Sequence, residues 1–433
     1  MKRVICLSLA VLLALLCVGC GGKDPVAEST AGDTTTATAA ETGPVTEPET
    51  DNGAGTPETL TIGGEPLDGF RIVYAANPMT ATYEKYPSLV TQDTDYNRQT
   101  AEYLAARLKE VFGVELPVSL DTATEKSAKE ICVGETNREV DAASFSGMNS
   151  DKDYVIRVMN RTGRLHLMGA TFGATYQSVD VLLNAVLAQN VRAAELPAGY
   201  VQKGKANLLT VACVGDSLTY GSKGGRSNVS DADRNAVVPY PAVLQRLEWK
   251  TMSVYNFGHG GRTMIEDFMV EGEGSRSYCD SPQYTKLLSH KEPFDLIILM
   301  LGTNDGNPTR ATATGYTIGS ESFRQKFLSS CDHLLTAFRE KSPQAKIVLL
   351  NAPPSYVAAW EEQLSAYVRH YQEQAAEQFG MTLCDFHAFL VENLRGGYYP
   401  DSVHPNDEGY TVFAEGVQQL IRPTVEKLLQ PEA

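Results

Sequence analysis

The sequence predicts an α/β protein whose larger part is a doubly wound parallel sheet, preceded by a small α+β domain. Two patterns carry this. From Leu208 onward, apolar runs at 208–214, 252–257, 295–301, 346–351 and 381–385 alternate with helical stretches around 239–249, 321–340, 359–379 and 408–429. Runs such as "FDLIILML" and "KIVLL" are apolar throughout, as strands buried on both faces require, and strand–helix alternation implies right-handed βαβ units. Upstream, "FRIVYAA", "EICVGE", "DYVIRVM" and "RLHLMGA" read as strands bounded by turn residues. "YNRQTAEYLAARLKEVFG" repeats apolar residues at helical spacing and ends in Gly113, and "TFGATYQSVDVLLNAVLAQN" is a second helix. These segments predict a sheet covered on one face by two helices over residues 60–200, a linker at 201–206, and the doubly wound domain over 207–430.

The first nineteen residues differ from all that follow. Lys2 and Arg3 precede an apolar run from Val4 to Val18, then Gly19 and Cys20. A basic start, a short apolar segment and a small residue before the cut describe a secretory leader, 1–19. The ending "LCVGC" resembles a bacterial lipobox, with cysteine at position 17 where leucine is usual. That resemblance implies lipidation at Cys20 and a location on the outer face of a bacterial membrane. The plainer alternative is an ordinary cleaved leader. Residues 20–59 form an acidic Thr/Pro/Ala-rich tether: within 23–58 there is one lysine against eight carboxylates. Such a segment buries too little apolar surface to offset its ordering entropy, so it is expected to stay disordered and give reach.

A formal net charge of −16 argues against nucleic-acid partners, which need a Lys/Arg footprint. After the leader and Cys20, five cysteines remain, Cys132, Cys213, Cys279, Cys331 and Cys384, without zinc-ligand spacing. Cys132, Cys213 and Cys384 sit in apolar strand-like runs and read as small core residues. His166 lies in a strand pattern and reads as structural.

In a doubly wound sheet, ligands bind beyond the carboxyl ends of the strands. After the first strand comes Gly215-Asp216-Ser217-Leu218-Thr219; after the second, "NFGHGGRT"; after the third, Gly302-Thr303-Asn304-Asp305; before the last helix, Asp401-Ser402-Val403-His404-Pro405. A hydrolytic serine needs a base, a carboxylate to orient the base, and fixed donors for the developing oxyanion. Ser217 is the serine, His404 the base and Asp401 the carboxylate. The backbone N–H groups of Ser217 and Gly261 and the side-chain amide of Asn304 supply the donors. Tyr220, His259 and Arg262 flank the site and are candidate substrate contacts. "GSKGGRSN" at 221–228 lacks the spacing of a phosphate-binding loop.

The blocks "GDSLT", "NFGHGGRT", "GTND" and "DSVHP" resemble those of the GDSL, or SGNH, hydrolases, with Ser217, Gly261, Asn304 and His404 as the four name-giving residues. The resemblance covers about residues 207–430. It implies a flavodoxin-like sheet and a serine esterase that needs no metal or organic cofactor. "GHGGRT" is most similar to the second block of pectin- and xylan-deacetylating members. The N-terminal segment resembles the small α/β domain preceding the catalytic barrel of some β-hexosaminidases and α-glucuronidases, on "VGETNRE", "DYVIRV" and "LMGATFGATYQSV". Together these imply O-deacetylation of a glycan, the partners being an acylated glycan or other ester and, through the lipid, a membrane. The alternatives are a lipase- or lysophospholipase-like hydrolase of short acyl esters and a non-catalytic carbohydrate-binding surface protein.

Overall fold

The computed structural model describes residues 57–76, 84–140, 146–222, 237–272 and 274–430, which belong to one compact unit, Asn52–Ala433. The leader 1–19, Cys20, nearly all of the tether 20–59 and most of the loop 221–235 lie outside the described residues.

The accessory half runs β1 (Thr59–Ile62), β2 (Glu65–Pro66), β3 (Arg71–Tyr74), α1 (Tyr96–Phe112), β4 (Val118–Leu120), β5 (Glu130–Val133), β6 (Asp153–Val158), β7 (Leu165–Gly169), α2 (Phe172–Leu187), β8 (Ala193–Leu196) and β9 (Val201–Lys205). Six strands form one sheet in the order β4-β3-β5-β7-β6-β9, with β1 pairing β2 and β8 in a second. The neighbours from β4 to β7 are parallel, while β6 runs antiparallel to both β7 and β9. The segment expected as a linker at 201–206 is therefore mostly strand β9. Its side chains alternate exposed and half-buried. A polar, lysine-bearing edge strand hides its character in the sequence while guarding the sheet against edge-to-edge pairing.

Residues alternate across each strand, so this sheet has two distinct faces. On one, Ile72, Ile131, Ile156 and Leu167 pack with Leu104 of α1 and Val179 of α2 in a single core, which places both helices on that face. The other face carries Arg71, Glu130, Cys132 and His166. His166 is 2% exposed, and burial pulls its pKa down to about 4, so it is a neutral core residue. Glu130 is fully buried and is ringed by Arg71 at 2.6 Å, Arg138 at 2.8 Å and Arg164 at 3.2 Å. Burial pushes its carboxyl up, but the hydrogen bond and charge of Arg138 and the charge of Arg71 outweigh this and hold it ionised.

The second half runs β10 (Leu209–Gly215), α3 (Ser217–Tyr220), α4 (Tyr240–Leu247), β11 (Met252–Gly258), β12 (Met269–Val270), β13 (Gly274–Ser275), α5 (Pro282–Leu288), β14 (Leu296–Met300), α6 (Pro308–Ala313), α7 (Glu321–Lys341), β15 (Lys346–Leu350), α8 (Ala358–Gln363), α9 (Arg369–Phe379), β16 (Thr382–Cys384), α10 (Phe386–Asn393) and α11 (Asp407–Leu429). A π turn over Leu364–Val368 joins α8 to α9. Five strands form an all-parallel sheet in the order β11-β10-β14-β15-β16. β10 is buried along its whole length. Its Val211 and Cys213 enter the core beneath α4, α10 and α11, and its Ala212 and Val214 enter the core beneath α5, α7 and α9. That two-sided burial is why the run reads as continuously apolar, and it is the doubly wound architecture the sequence predicts. The five described cysteines are unpaired; Cys132, Cys213, Cys331 and Cys384 are buried and Cys279 is half-buried. No helix among the described residues is long and apolar enough to cross a membrane.

The two halves are bolted together at residues 150–152. Ser150 Oγ donates to Glu292 at 2.6 Å, Lys152 pairs with Asp295 at 2.7 Å, and the Tyr255 hydroxyl donates to Asp151. Between the halves lies a cavity of about 640 Å³ lined by Tyr96, Asn97, Gly134, Phe172, Trp249 and Tyr255 among others.

Candidate active site

Each predicted residue begins from a local constraint at a strand or helix end. At the end of β10, a Cβ on Gly215 would lie 2.1 Å from Thr219 Oγ1 and 2.6 Å from the Met300 carbonyl. Only glycine lets the strand turn there into the one-turn helix α3. Asp216 closes that turn, its Oδ1 accepting from Leu218 N–H at 2.9 Å. Ser217 thus opens a helix, where the first N–H groups have no intrahelical acceptor. Asp216 is fully buried, and burial raises its pKa to about 7 against the pull of the Leu218 N–H and His404.

The histidine arrives from the loop before α11. Asn406 caps that helix by accepting from Gly409 N–H at 2.9 Å. Upstream, Asp401 Oδ1 accepts from the N–H groups of Val403 at 3.0 Å and His404 at 2.7 Å. The bend passes through Ser402 at φ 69°. His404 Nδ1 then lies 2.8 Å from Asp401 Oδ2, and Nε2 lies 2.9 Å from Ser217 Oγ, 187 positions away in sequence. Burial pushes the Asp401 carboxyl up, yet the hydrogen bond and charge of His404, with two backbone N–H groups, hold it well below the usual carboxylate range. An ionised Asp401 fixes the tautomer in which Nδ1 carries the proton and Nε2 faces the serine.

The donor side comes from the loops after β11 and β14. Gly261 has φ 72°, and its N–H has no hydrogen-bond partner among the described residues. Asn304 is 4% exposed. Its Nδ2 donates to the Arg262 carbonyl at 3.0 Å and to Asp216 Oδ2 at 3.3 Å, so both amide hydrogens have acceptors at rest. The longer contact is the weaker and is the one an oxyanion would replace. Asp305 locks the two loops together, its carboxylate oxygens accepting from Met264 and Ile265 N–H at 2.9 Å each.

Residues 213–412 match the GDSL-like Lipase/Acylhydrolase family. This half is a GDSL-like acylhydrolase domain. The protein is accordingly an ester-hydrolysing enzyme. No curated protein matches the chain closely enough to count as a relative. Among solved structures, the chain is similar to the native aryl esterase of M. smegmatis at 18% identity, over 50% of this chain and 99% of that one, with a TM-score of 0.38. It is also similar to an acetylxylan esterase from Geobacillus stearothermophilus at 17% identity, over 49% of this chain and 94% of that one, with a TM-score of 0.35.

Around Ser217, His404 and Asp401, the predicted flanking residues divide. Arg262 donates through Nε to His259 Nδ1 at 2.9 Å and through Nη1 to the carbonyls of Ser275 at 2.9 Å and Ser277 at 3.3 Å. Arg262 and His259 therefore brace the glycine loop. Tyr220 stands 6.5 Å, ring to ring, from His259 and lines a neighbouring cavity of about 390 Å³ with Lys85 and Gln245. Two residues that sequence reasoning missed lie closer in. Arg310, on α6, donates through Nη1 to Asn304 Oδ1 at 2.6 Å. Arg276 reaches the Gly261 Cα, where a Cβ would stand 2.9 Å from its Nη1. Neither belongs to a motif, and short polar segments give no periodic signal that could have found them. Away from the triad, Glu266, Cys279 and His333 bring possible metal-ligand atoms within 4.8 Å of one another.

Proposed function

We propose that this enzyme is a lipid-tethered extracellular esterase that removes acyl groups, acetyl above all, from a polysaccharide through Ser217, His404 and Asp401. The observation that carries the catalytic reading is the unbroken chain from Ser217 Oγ to His404 Nε2, at 2.9 Å, and from His404 Nδ1 to Asp401 Oδ2, at 2.8 Å. Ser217 Oγ attacks the ester carbonyl carbon as His404 Nε2 takes its proton. The Ser217 and Gly261 N–H groups and the Asn304 amide hold the oxyanion. Collapse expels the alcohol, which takes the proton from His404 and leaves an acyl-serine. Water, deprotonated by His404, then attacks the acyl carbon, and the carboxylic acid departs as Ser217 recovers its proton.

Three features support the glycan and the tether. They are the likeness of "GHGGRT" to polysaccharide-deacetylating members of the family, the accessory domain akin to those of glycan-cleaving enzymes, and the lipobox-like "LCVGC" before an acidic tether.

The test measures acetate release from acetylated xylan, pectin and peptidoglycan, with p-nitrophenyl acetate as a general probe. The Ser217→Ala variant is expected to lose at least about 10³-fold in kcat with unchanged folding. Turnover that survives it overturns the mechanism. Preference for long acyl chains over acetyl overturns the glycan assignment, and Cys20→Ala protein that stays with membranes overturns the tether.

A further inference from the structure

Glu266, Cys279 and His333 come from three separate segments, so no spacing motif announces them in the sequence. Glu266 lies in the segment that follows Gly261, Cys279 in a 3₁₀ turn, Tyr278–Asp280, and His333 on α7. One nitrogen, sulfur or oxygen ligand atom of each falls within 4.8 Å of the other two.

The backbone behind these side chains is anchored. Glu266 N–H donates to Ser330 Oγ at 3.0 Å, and Ser330 lies on α7 one turn before His333. Cys279 N–H donates to Ser277 Oγ at 3.2 Å. The neighbouring Tyr278 is buried, and its hydroxyl donates to the Phe257 carbonyl at 2.8 Å. Glu266 and Cys279 are half-buried and His333 is exposed. The Glu266 carboxyl is the hub, hydrogen-bonded to His333 Nδ1 and to the Cys279 thiol. Burial first, and then the charge of Glu266, push that thiol up to about 12. Cys279 is thus no free nucleophile, and it has no disulfide partner.

A thiol, an imidazole and a carboxyl together are a zinc ligand set. Magnesium and calcium take oxygen ligands, whereas zinc takes sulfur, nitrogen and oxygen. Ligand atoms at about 2.0–2.3 Å from a tetrahedral Zn²⁺ stand about 3.3–3.8 Å from one another. The set therefore has to contract by no more than about 1.5 Å at its widest pair, which turning the exposed His333 ring and the Glu266 side chain supplies.

We propose that Glu266, Cys279 and His333 form a zinc site that ties the Gly261 segment to α7. On binding, the Cys279 proton passes to water. The thiolate, an unprotonated ring nitrogen of His333 and one Glu266 oxygen each give the metal a lone pair, and the fourth position is left to water. The role is structural. Asp305 holds the N–H groups of Met264 and Ile265, just before Glu266, and the metal pins the same segment from its other end. The site stands or falls independently of the esterase reading.

The experiment titrates chelator-stripped, reduced protein with Co²⁺, whose spectrum reports its ligands. The expected result is one Co²⁺ per chain, with a thiolate-to-cobalt charge-transfer band in the near ultraviolet and the intense d–d absorption of tetrahedral coordination. One equivalent of Zn²⁺ bleaches both. Cys279→Ser removes the charge-transfer band, and His333→Ala and Glu266→Gln each weaken Co²⁺ binding by about tenfold or more. Zn²⁺ raises the melting temperature of the stripped wild type, and this shift is lost in Cys279→Ser and His333→Ala. His333 is exposed, so its variant tests the site without disturbing the core. No thiolate band in the wild type overturns the site. So does a band that persists in Cys279→Ser, a Co²⁺ affinity unchanged in either other variant, or a Zn²⁺ melting shift that the variants keep.

Discussion

Arginines gather at two places in this molecule, and the two gatherings are built oppositely. In the accessory half, Arg71, Arg138 and Arg164 surround Glu130, which is fully buried. Arg138 also donates to the Asp121 carbonyl at 2.9 Å. The cluster contains its own counter-charge. At the catalytic edge, Arg262 is bonded to a ring nitrogen and two carbonyls, and Arg310 to an amide oxygen. Those acceptors are neutral, and the carboxylates whose charge acts on the two arginines, Asp280 on Arg262 and Asp216 on Arg310, are not bonded to them. A buried cluster with an internal carboxylate is closed on itself; one anchored on neutral acceptors spends its donors on holding a ring, carbonyls and an amide in place.

The largest expected effect breaks the closed cluster. Glu130→Ala leaves three half-buried or buried cations around one void and should cost about 3–5 kcal/mol of folding stability, measured by urea unfolding. Glu130→Gln keeps the shape and separates charge from volume. If ester turnover of the folded variants matches wild type, the cluster is structural; a selective kinetic loss breaks the contrast. Next comes Asn304→Ala, which removes a proposed oxyanion donor and the acceptor of Arg310 together. It should lower kcat by about 10²–10³-fold, some 3–4 kcal/mol of transition-state stabilisation, while stability changes by about 1–2 kcal/mol. Equal kinetic and stability losses would merge the two clusters into one kind.

The smallest effect concerns the carboxylates behind the catalytic edge. Burial raises the Asp305 pKa from 3.8 to about 6, against the N–H groups of Ile265 and Met264. Its protonated form is favoured in the folded protein. The stability from that shift is complete below pH about 4 and is lost as pH rises through 6. Asp305→Asn does not titrate, so the melting-temperature gap between wild type and variant should narrow from pH 4.5 to 7.5, by at most about 3 kcal/mol in stability. A gap that widens with pH means Asp305 is held ionised, as Glu130 is.

The legibility of the chain follows the same physics. β10, β14 and β15 were readable because burial on both faces makes them almost continuously apolar, the partly exposed edge strands β11 and β16 followed from their alternation with helices, and the residues after the strands followed from the architecture. β9 was not readable: an edge strand of polar residues looks like a linker. β1 and β8 escaped as four-residue strands that pair each other across more than a hundred positions. Ser217, His404 and Asp401 stood in recognisable blocks. Arg310 did not, because α6 is six residues long and opens on Pro308 with no apolar periodicity. Arg276 follows the two-residue strand β13. Their meeting at Gly261 is a product of tertiary folding, and local pattern carries no trace of it.

Asp401 and His404 share one short bend, tied by three hydrogen bonds within four residues and attached to the start of α11. The proposed acid and base are therefore a single rigid part, and the proposed nucleophile, Ser217, is another, joined to it side chain to side chain by one contact. A shift of that bend opens the Ser217–His404 joint and leaves the Asp401–His404 pair intact. The enzyme so built has a coupling that engages or disengages whole, and its idle state keeps a base already oriented for the next serine approach.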